Sequence, residues 1–85
     1  MSKQHKSFVS QLDARPIATD DYEIFEGEQR VGCVYKLTFP TSEQWYWHLY
    51  EEGGHPAREG RENAMTLAGL ALRKALVACR RQPKA

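Results

Sequence analysis

The stretch QWYWHLYEEGGHPAREGRENA, residues 44–64, decides how this chain folds. Four aromatic rings lie within six residues, and a Gly-Gly loop and a charged segment follow them. Alternation of this kind is typical of a β-strand, because successive side chains point to opposite faces of a sheet. The predicted strand has two different faces, with Trp45, Trp47 and Leu49 on one and Tyr46, His48 and Tyr50 on the other.

Two further strands are predicted before this one. DYEIFE, residues 21–26, alternates, and Gly27 starts a short turn before RVGCVYKLTF, residues 30–39. Pro40 ends that strand because proline has no N–H for the ladder. Short turns between the strands predict an antiparallel meander. We expect one face of the second strand to join the two tryptophans in the core; it carries Val31, Cys33, Tyr35, Leu37 and Phe39.

A helix is predicted from Arg61 to about Gln82, with Gly60 as its N-cap and Pro83 just beyond its end. Apolar residues recur at helical spacing and include Leu67. The centre of this stripe is small: Ala64, Ala68, Ala71, Ala75 and Ala78. Small residues let a helix approach a sheet closely, so we expect the indoles of the sheet to fill the core beneath it.

These elements define the predicted fold class and domain organisation. The fold is α+β, a three-stranded antiparallel meander with one long C-terminal helix packed on one face. Residues 1–15 are predicted to be a flexible N-terminal tail, ended by the break at Arg15–Pro16. Residues 16–82 form a single domain, and residues 83–85 form a C-terminal tail. At 85 residues the chain is small enough that dimerisation would help to stabilise it.

One helix covers only one face of such a sheet, so the other face is predicted to contact a partner. A second contact strip is predicted on the polar side of the helix, where two apolar residues stand one heptad apart. The candidate contact surface comprises Val34, Lys36, Tyr46, His48, Tyr50, Leu70 and Val77.

The sequence offers little support for catalysis or for metal and cofactor binding. The spacings of its histidines and two cysteines match no zinc motif, and it contains no phosphate-binding glycine loop. Cys33 and His48 lie on adjacent strands, but the face assignment above places Cys33 inside and His48 outside, so they are not expected to meet. We therefore predict no catalytic residue, no metal ligand and no cofactor.

The charge distribution bears on partners. The net charge is +1, with an acidic stretch over residues 20–28 and a basic C-terminal end. Such ends more often pair within a protein, or between two copies, than bind nucleic acid. No segment is long and apolar enough for a bilayer, and the N-terminus has no signal-peptide core. We expect a cytoplasmic protein with reduced thiols and no membrane partner.

WYWHLYEEGG and GRENAMTLAGLALRKAL together carry a resemblance to a family. A Trp-x-Trp strand, a glycine loop and an Ala-rich helix opened by Gly-Arg-Glu-x-Ala-Met resemble a group of short uncharacterised bacterial proteins. The resemblance covers roughly residues 22–80 and implies a β-meander followed by one C-terminal helix. It implies no activity and no site residues.

The function these observations favour is a small non-catalytic binding or interaction protein that forms a homodimer and can bind a further protein partner. One alternative is a nucleic-acid-binding domain, because a meander followed by a helix is the element order of double-stranded RNA-binding domains. That alternative is disfavoured by the acidic first strand and the near-neutral net charge. A second alternative is an accessory subunit whose site forms only at a subunit interface, around His48 and Tyr46.

Overall fold

The computed structural model describes residues 9–39 and 42–81. Within these ranges the chain forms five strands and one helix: β1 Leu12–Ala18, β2 Asp21–Glu26, β3 Gln29–Phe39, β4 Ser42–Leu49, β5 Arg58–Glu62 and α1 Met65–Arg81. The strands form one antiparallel sheet in the order β1-β2-β3-β4-β5. The predicted α+β class, antiparallel sheet and C-terminal helix are confirmed, but the prediction of three strands was wrong.

The first additional strand, β1, starts at Leu12, inside the segment predicted to be a flexible tail. Leu12 is half-buried, and the rest of β1 is exposed. Pro16 does not break the chain here, because β1 is an edge strand and its register shifts between Pro16 and Ala18. Val9, which precedes β1, is buried in the core. The remaining tail predictions concern residues 1–8 and 83–85, which lie outside the described residues.

The second additional strand, β5, lies where a loop and the start of the helix were predicted. Gly60 is its central residue and pairs with Trp47 of β4, so its assignment as a helix cap was wrong. A Cβ on Gly60 would lie 2.6 Å from Nε1 of Trp47, so the indole packs directly on the glycine backbone. The helix starts at Met65 instead of Arg61.

The core lies between the sheet and one side of α1. The helix buries Ala68, Leu72, Leu76 and Cys79, and β2, β3 and β4 contribute Ile24, Val34 and Leu49. Trp45 and Trp47 pack against this cluster, as predicted. The predicted all-alanine centre of the helix stripe is only partly correct, because Leu72 and Leu76 occupy its middle and Leu67 is exposed.

Val31 is buried in the core as predicted, but from Gly32 onward the two faces of β3 are the reverse of the prediction. Gly32 and Val34 face the helix, with Leu49 and Trp47 as their partners on β4. Gly32 leaves the space that Leu72 fills: a Cβ there would lie 2.9 Å from Cδ1 of Leu72. The helix therefore requires a small residue at position 32, and Cys33 and Tyr35 lie on the opposite side of the strand.

An ion-pair cluster centred on Arg80 joins the end of the helix to the sheet. Its side chain is 5% exposed, and its guanidinium binds Glu26 at the end of β2 through two hydrogen bonds of 2.9 and 2.7 Å. It also donates to Glu52 in the β4–β5 loop. These hydrogen bonds to the carboxylates raise the pKa of Arg80 above its ordinary value. The predicted pairing of the acidic stretch with the basic C-terminal end therefore occurs within one chain.

Candidate functional site

The side of the sheet opposite α1, on which no other helix or strand of residues 9–39 and 42–81 packs, is here called the uncovered face and carries two pairs of rings. Tyr35 of β3 is the direct partner of Tyr46 of β4, and their ring centroids are 5.6 Å apart. The rings of His48 and Tyr50 are 5.5 Å apart. A cross-strand aromatic pair such as Tyr35–Tyr46 stabilises a sheet by about 0.5–1.5 kcal/mol beyond the area it buries.

A row of polar side chains crosses this face perpendicular to the strands. Consecutive partners along the row are Arg15, Glu23, Cys33, His48 and Glu59, one from each strand. Nδ1 of His48 lies 3.6 Å from Oε1 of Glu59. Because direct partners point to the same side of a sheet, the register alone brings these five residues together.

Glu23 is the most deeply buried member of the row, at 8% exposure. The hydroxyl of Tyr50 donates a 2.8 Å hydrogen bond to its Oε2, and Nη1 of Arg30 lies 3.8 Å from the same oxygen. Burial, followed by the hydrogen bond to Glu23, raises the pKa of Tyr50 well above its usual range. The phenol therefore stays protonated and keeps the buried carboxylate hydrogen-bonded.

Cys33 and His48 are direct partners on this face, so the prediction that they cannot meet was wrong. Their surroundings nevertheless oppose thiolate formation. Burial is the main cause that raises the pKa of the Cys33 thiol, and the carboxylates of Glu23 and Asp21 add to it. Tyr50 acts in the opposite direction as a hydrogen-bond partner of the thiol, but its effect is smaller. A nucleophilic cysteine needs cationic surroundings that lower its pKa.

The predicted contact residues fall in three places. Tyr46, His48 and Tyr50 lie together on the uncovered face, as predicted. Val34 does not belong to this surface, because it is 1% exposed and lies in the core beneath the helix. Lys36 points to the helix side of β3, where its Nζ lies 3.2 Å from Asp20. It is also 5.9 Å from the ring of Trp45, its partner on β4.

The other two predicted residues lie on the helix. Leu70 is 56% exposed, whereas Val77 is half-buried and packs against the core. Both are on the helical side of the sheet, so they do not adjoin the uncovered face. The seven predicted residues therefore do not form one surface.

Among the residues of the uncovered face, sequence reasoning missed Arg15, Glu23, Cys33, Tyr35, Glu59 and Arg61. The length of the β3–β4 turn could have placed Cys33 and Tyr35 on this face. A hairpin loop with an even number of residues places odd-numbered residues of β3 opposite even-numbered residues of β4. Glu59 and Arg61 had no comparable signal, since the five residues of β5 include a glycine and four charges.

No group of three or more histidine, cysteine or acidic side chains is placed to hold a metal ion among residues 9–39 and 42–81. In the same part of the chain, no helix has the length and apolar character needed to cross a bilayer. The cytoplasmic location stays a prediction.

Comparison with known proteins gave no match to a family model, a curated protein or a solved structure. The resemblance to short bacterial proteins therefore stays a prediction, and function has to be argued from the geometry described above.

Proposed function

We propose that this protein is a small non-catalytic binding protein that acts as a homodimer and contacts a protein partner through the uncovered face. The observation that carries the proposal is the pair of ring contacts, Tyr35 with Tyr46 and His48 with Tyr50, on the side of the sheet opposite the helix. Tyrosine is enriched in protein interfaces because its ring provides rigid contact area and its hydroxyl a hydrogen bond.

The chemistry of the face supports binding rather than catalysis. The raised pKa of Cys33 keeps its thiol protonated, which argues against a nucleophile beside His48. The buried carboxylate of Glu23 is hydrogen-bonded by Tyr50 and has Arg30 close by. A satisfied polar network of this kind holds its side chains rigid, which lowers the entropic cost of binding.

The charges of the face favour a protein over a nucleic acid. Arg15 and Arg61 lie on the same side of the sheet as Glu23 and Glu59, so positive and negative groups alternate across it. A phosphate backbone is bound by clustered positive charge. Mixed charge around aromatic rings is typical of the rim of a protein–protein interface.

A photo-crosslinking experiment tests this proposal. Tyr46 is replaced by the photoreactive p-benzoylphenylalanine, and the matched control carries the same residue at Glu28, an exposed position in the β2–β3 turn. After irradiation in the source cells we expect a discrete protein adduct from position 46 and none from position 28. The variant Tyr46→Ala/His48→Ala should then remain folded by circular dichroism and lose affinity for the purified partner.

Two results would contradict the proposal. Equal crosslinking from both positions would mean that the uncovered face has no particular role. Nuclease-sensitive adducts, with binding of short RNA or DNA that weakens steeply as salt increases, would support the nucleic-acid alternative.

A further inference from the structure

The two edges of the sheet differ in their ability to pair with another strand. At one edge, β1 contains Pro16 and a register shift, and both features obstruct pairing. At the other edge, β5 runs from Arg58 to Glu62 with regular pairing to β4 and no proline. Among the described residues no segment pairs with the outer side of β5, so its outer backbone groups can accept one more strand.

The charges of β5 are self-complementary. Its sequence is Arg58-Glu59-Gly60-Arg61-Glu62. When a second copy of β5 lies antiparallel with Gly60 opposite Gly60, Arg58 faces Glu62 of the second copy and Glu59 faces its Arg61. By symmetry each contact occurs twice, so every charge in the strand meets its opposite.

No other nearby arrangement has this property. A shift of one residue places Arg58 opposite Arg61, or Glu59 opposite Glu62. A shift of two residues places Arg61 opposite its own copy, or Glu59 opposite its own copy. Parallel pairing in register places every charge opposite itself. Like charges directly opposite one another destabilise a strand pair, so the charge order selects one register.

Within one chain these charges are largely uncompensated. Among the described residues Arg58, Arg61 and Glu62 form no ion pair, although Arg58 and Glu62 are half-buried. Arg61 has a 3.4 Å hydrogen bond to the neutral side chain of Gln44. A half-buried charge gains from a partner of opposite sign more than a fully solvated one does.

We propose that two copies of this chain associate through antiparallel pairing of β5 about Gly60, forming one continuous sheet. This inference rests on the proposed self-association and adds the surface that mediates it. The helices leave room for it, because α1 lies mainly across β4. With strands about 4.8 Å apart, the two helices would lie about 14 Å apart, beyond the 8–10 Å of packed helices. The pairing would also join the two uncovered faces into one surface.

A charge-swap series tests the proposal, with oligomeric mass measured by sedimentation equilibrium at about 0.1 mM protein. The wild type is expected at twice the 9.8 kDa of one chain. Glu59→Arg and Arg61→Glu each create two like-charge contacts, so each should weaken the dimer by about tenfold or more. The double variant Glu59→Arg/Arg61→Glu restores opposite charges and should restore the dimer. Glu28→Arg is the matched control and should leave the dimer unchanged.

The outcomes separate this inference from the function on which it rests. A wild type that is monomeric at this concentration would overturn self-association altogether, while the crosslinking test of the uncovered face would still stand. A wild-type dimer whose dissociation constant neither single substitution raises, or a folded double variant whose dissociation constant stays as high as that of the single variants, would overturn the β5 interface alone. Circular dichroism verifies folding, and both substituted side chains are exposed.

Discussion

At Gly32 the sheet is packed closely against both a neighbouring strand and the helix. A Cβ at this position would lie 2.3 Å from the carbonyl oxygen of His48 and 2.9 Å from Cδ1 of Leu72. The first neighbour is backbone of a paired strand and cannot move away cheaply. Glycine is therefore needed on the helix side of β3 for steric reasons rather than for its conformational freedom.

Gly32→Ala is expected to destabilise the protein by about 1–3 kcal/mol, the usual cost of overpacking. Gly69→Ala provides the matched control, because a Cβ on this helical glycine would meet nothing within 4 Å. Alanine favours a helix over glycine, so this control should stabilise by about 0.5–1 kcal/mol. Urea unfolding at one protein concentration measures both changes. Changes of the same sign would contradict the packing at Gly32.

Tyr50 gives the stability a dependence on alkaline pH. Its pKa is raised in the folded protein, mainly by burial and then by the hydrogen bond to Glu23. In the unfolded chain the phenol ionises near its ordinary pKa of about 10. Its stabilising contribution is therefore complete below about pH 10 and is lost as pH rises toward the higher folded pKa.

We expect the free energy of unfolding to decrease as pH rises above about 10. Tyr50→Phe should make this pH dependence less steep, by up to the contribution of one proton. Urea unfolding between pH 8 and 11.5, from about two units below to about one and a half units above the ordinary phenol pKa, measures it. Identical slopes for the two proteins would show that Tyr50 ionises equally in both states. The variant should also be less stable at neutral pH, because Glu23 loses a hydrogen bond.

At the scale of elements, the sequence was enough to predict the interior strands of the sheet but not its two edge strands. β2, β3 and β4 lie close to their predicted positions, because strands with a buried face alternate clearly. β1 and β5 were missed because edge strands need no such alternation. β1 is almost wholly exposed, and β5 consists of charges and a glycine.

The face error on β3 has a different cause. Hydrophobicity predicted that the side of β3 with Cys33, Tyr35 and Leu37 faces the core. The pairing of β3 with β4 instead decides which side of the strand faces the helix. Phe39 lies opposite Ser42, so partners on β3 and β4 always combine an odd with an even number. Once Trp45 and Trp47 face the helix, the even-numbered residues of β3 must do so too. Counting partners across the turn would have placed Tyr35 and Tyr46 together.

The ion-pair cluster centred on Arg80 links three elements, and its removal tests that link. Arg80→Ala leaves the carboxylates of Glu26 and Glu52, both largely buried, without their shared cation. Breaking a buried ion pair by removing one partner typically costs about 3 kcal/mol or more. Arg81→Ala, the neighbouring exposed arginine, should change stability by less than about 0.5 kcal/mol. Equal effects in chemical denaturation would show that the cluster contributes nothing specific.

On the scale of the whole molecule, the sheet has one face packed by a helix and one face left to polar and aromatic side chains. The helix covers β3, β4 and β5, and it is anchored at its C-terminal end by Arg80. The same sheet ends in one edge obstructed by Pro16 and one edge with self-complementary charges. Self-association through β5 and partner binding through the uncovered face would therefore use separate surfaces of one small domain.

The assignment of the two faces underlies the whole account, and methyl nuclear Overhauser spectroscopy tests it most directly. With labelled leucine methyl groups, Leu72 should show cross-peaks to the Hα protons of Gly32 and to Val34, both on the helix side of β3. The rings of Tyr35 and Tyr46 should show cross-peaks to each other and none to Leu72. Cross-peaks from Leu72 to the ring of Tyr35 or to Cys33 would reverse the faces and contradict the proposed contact surface.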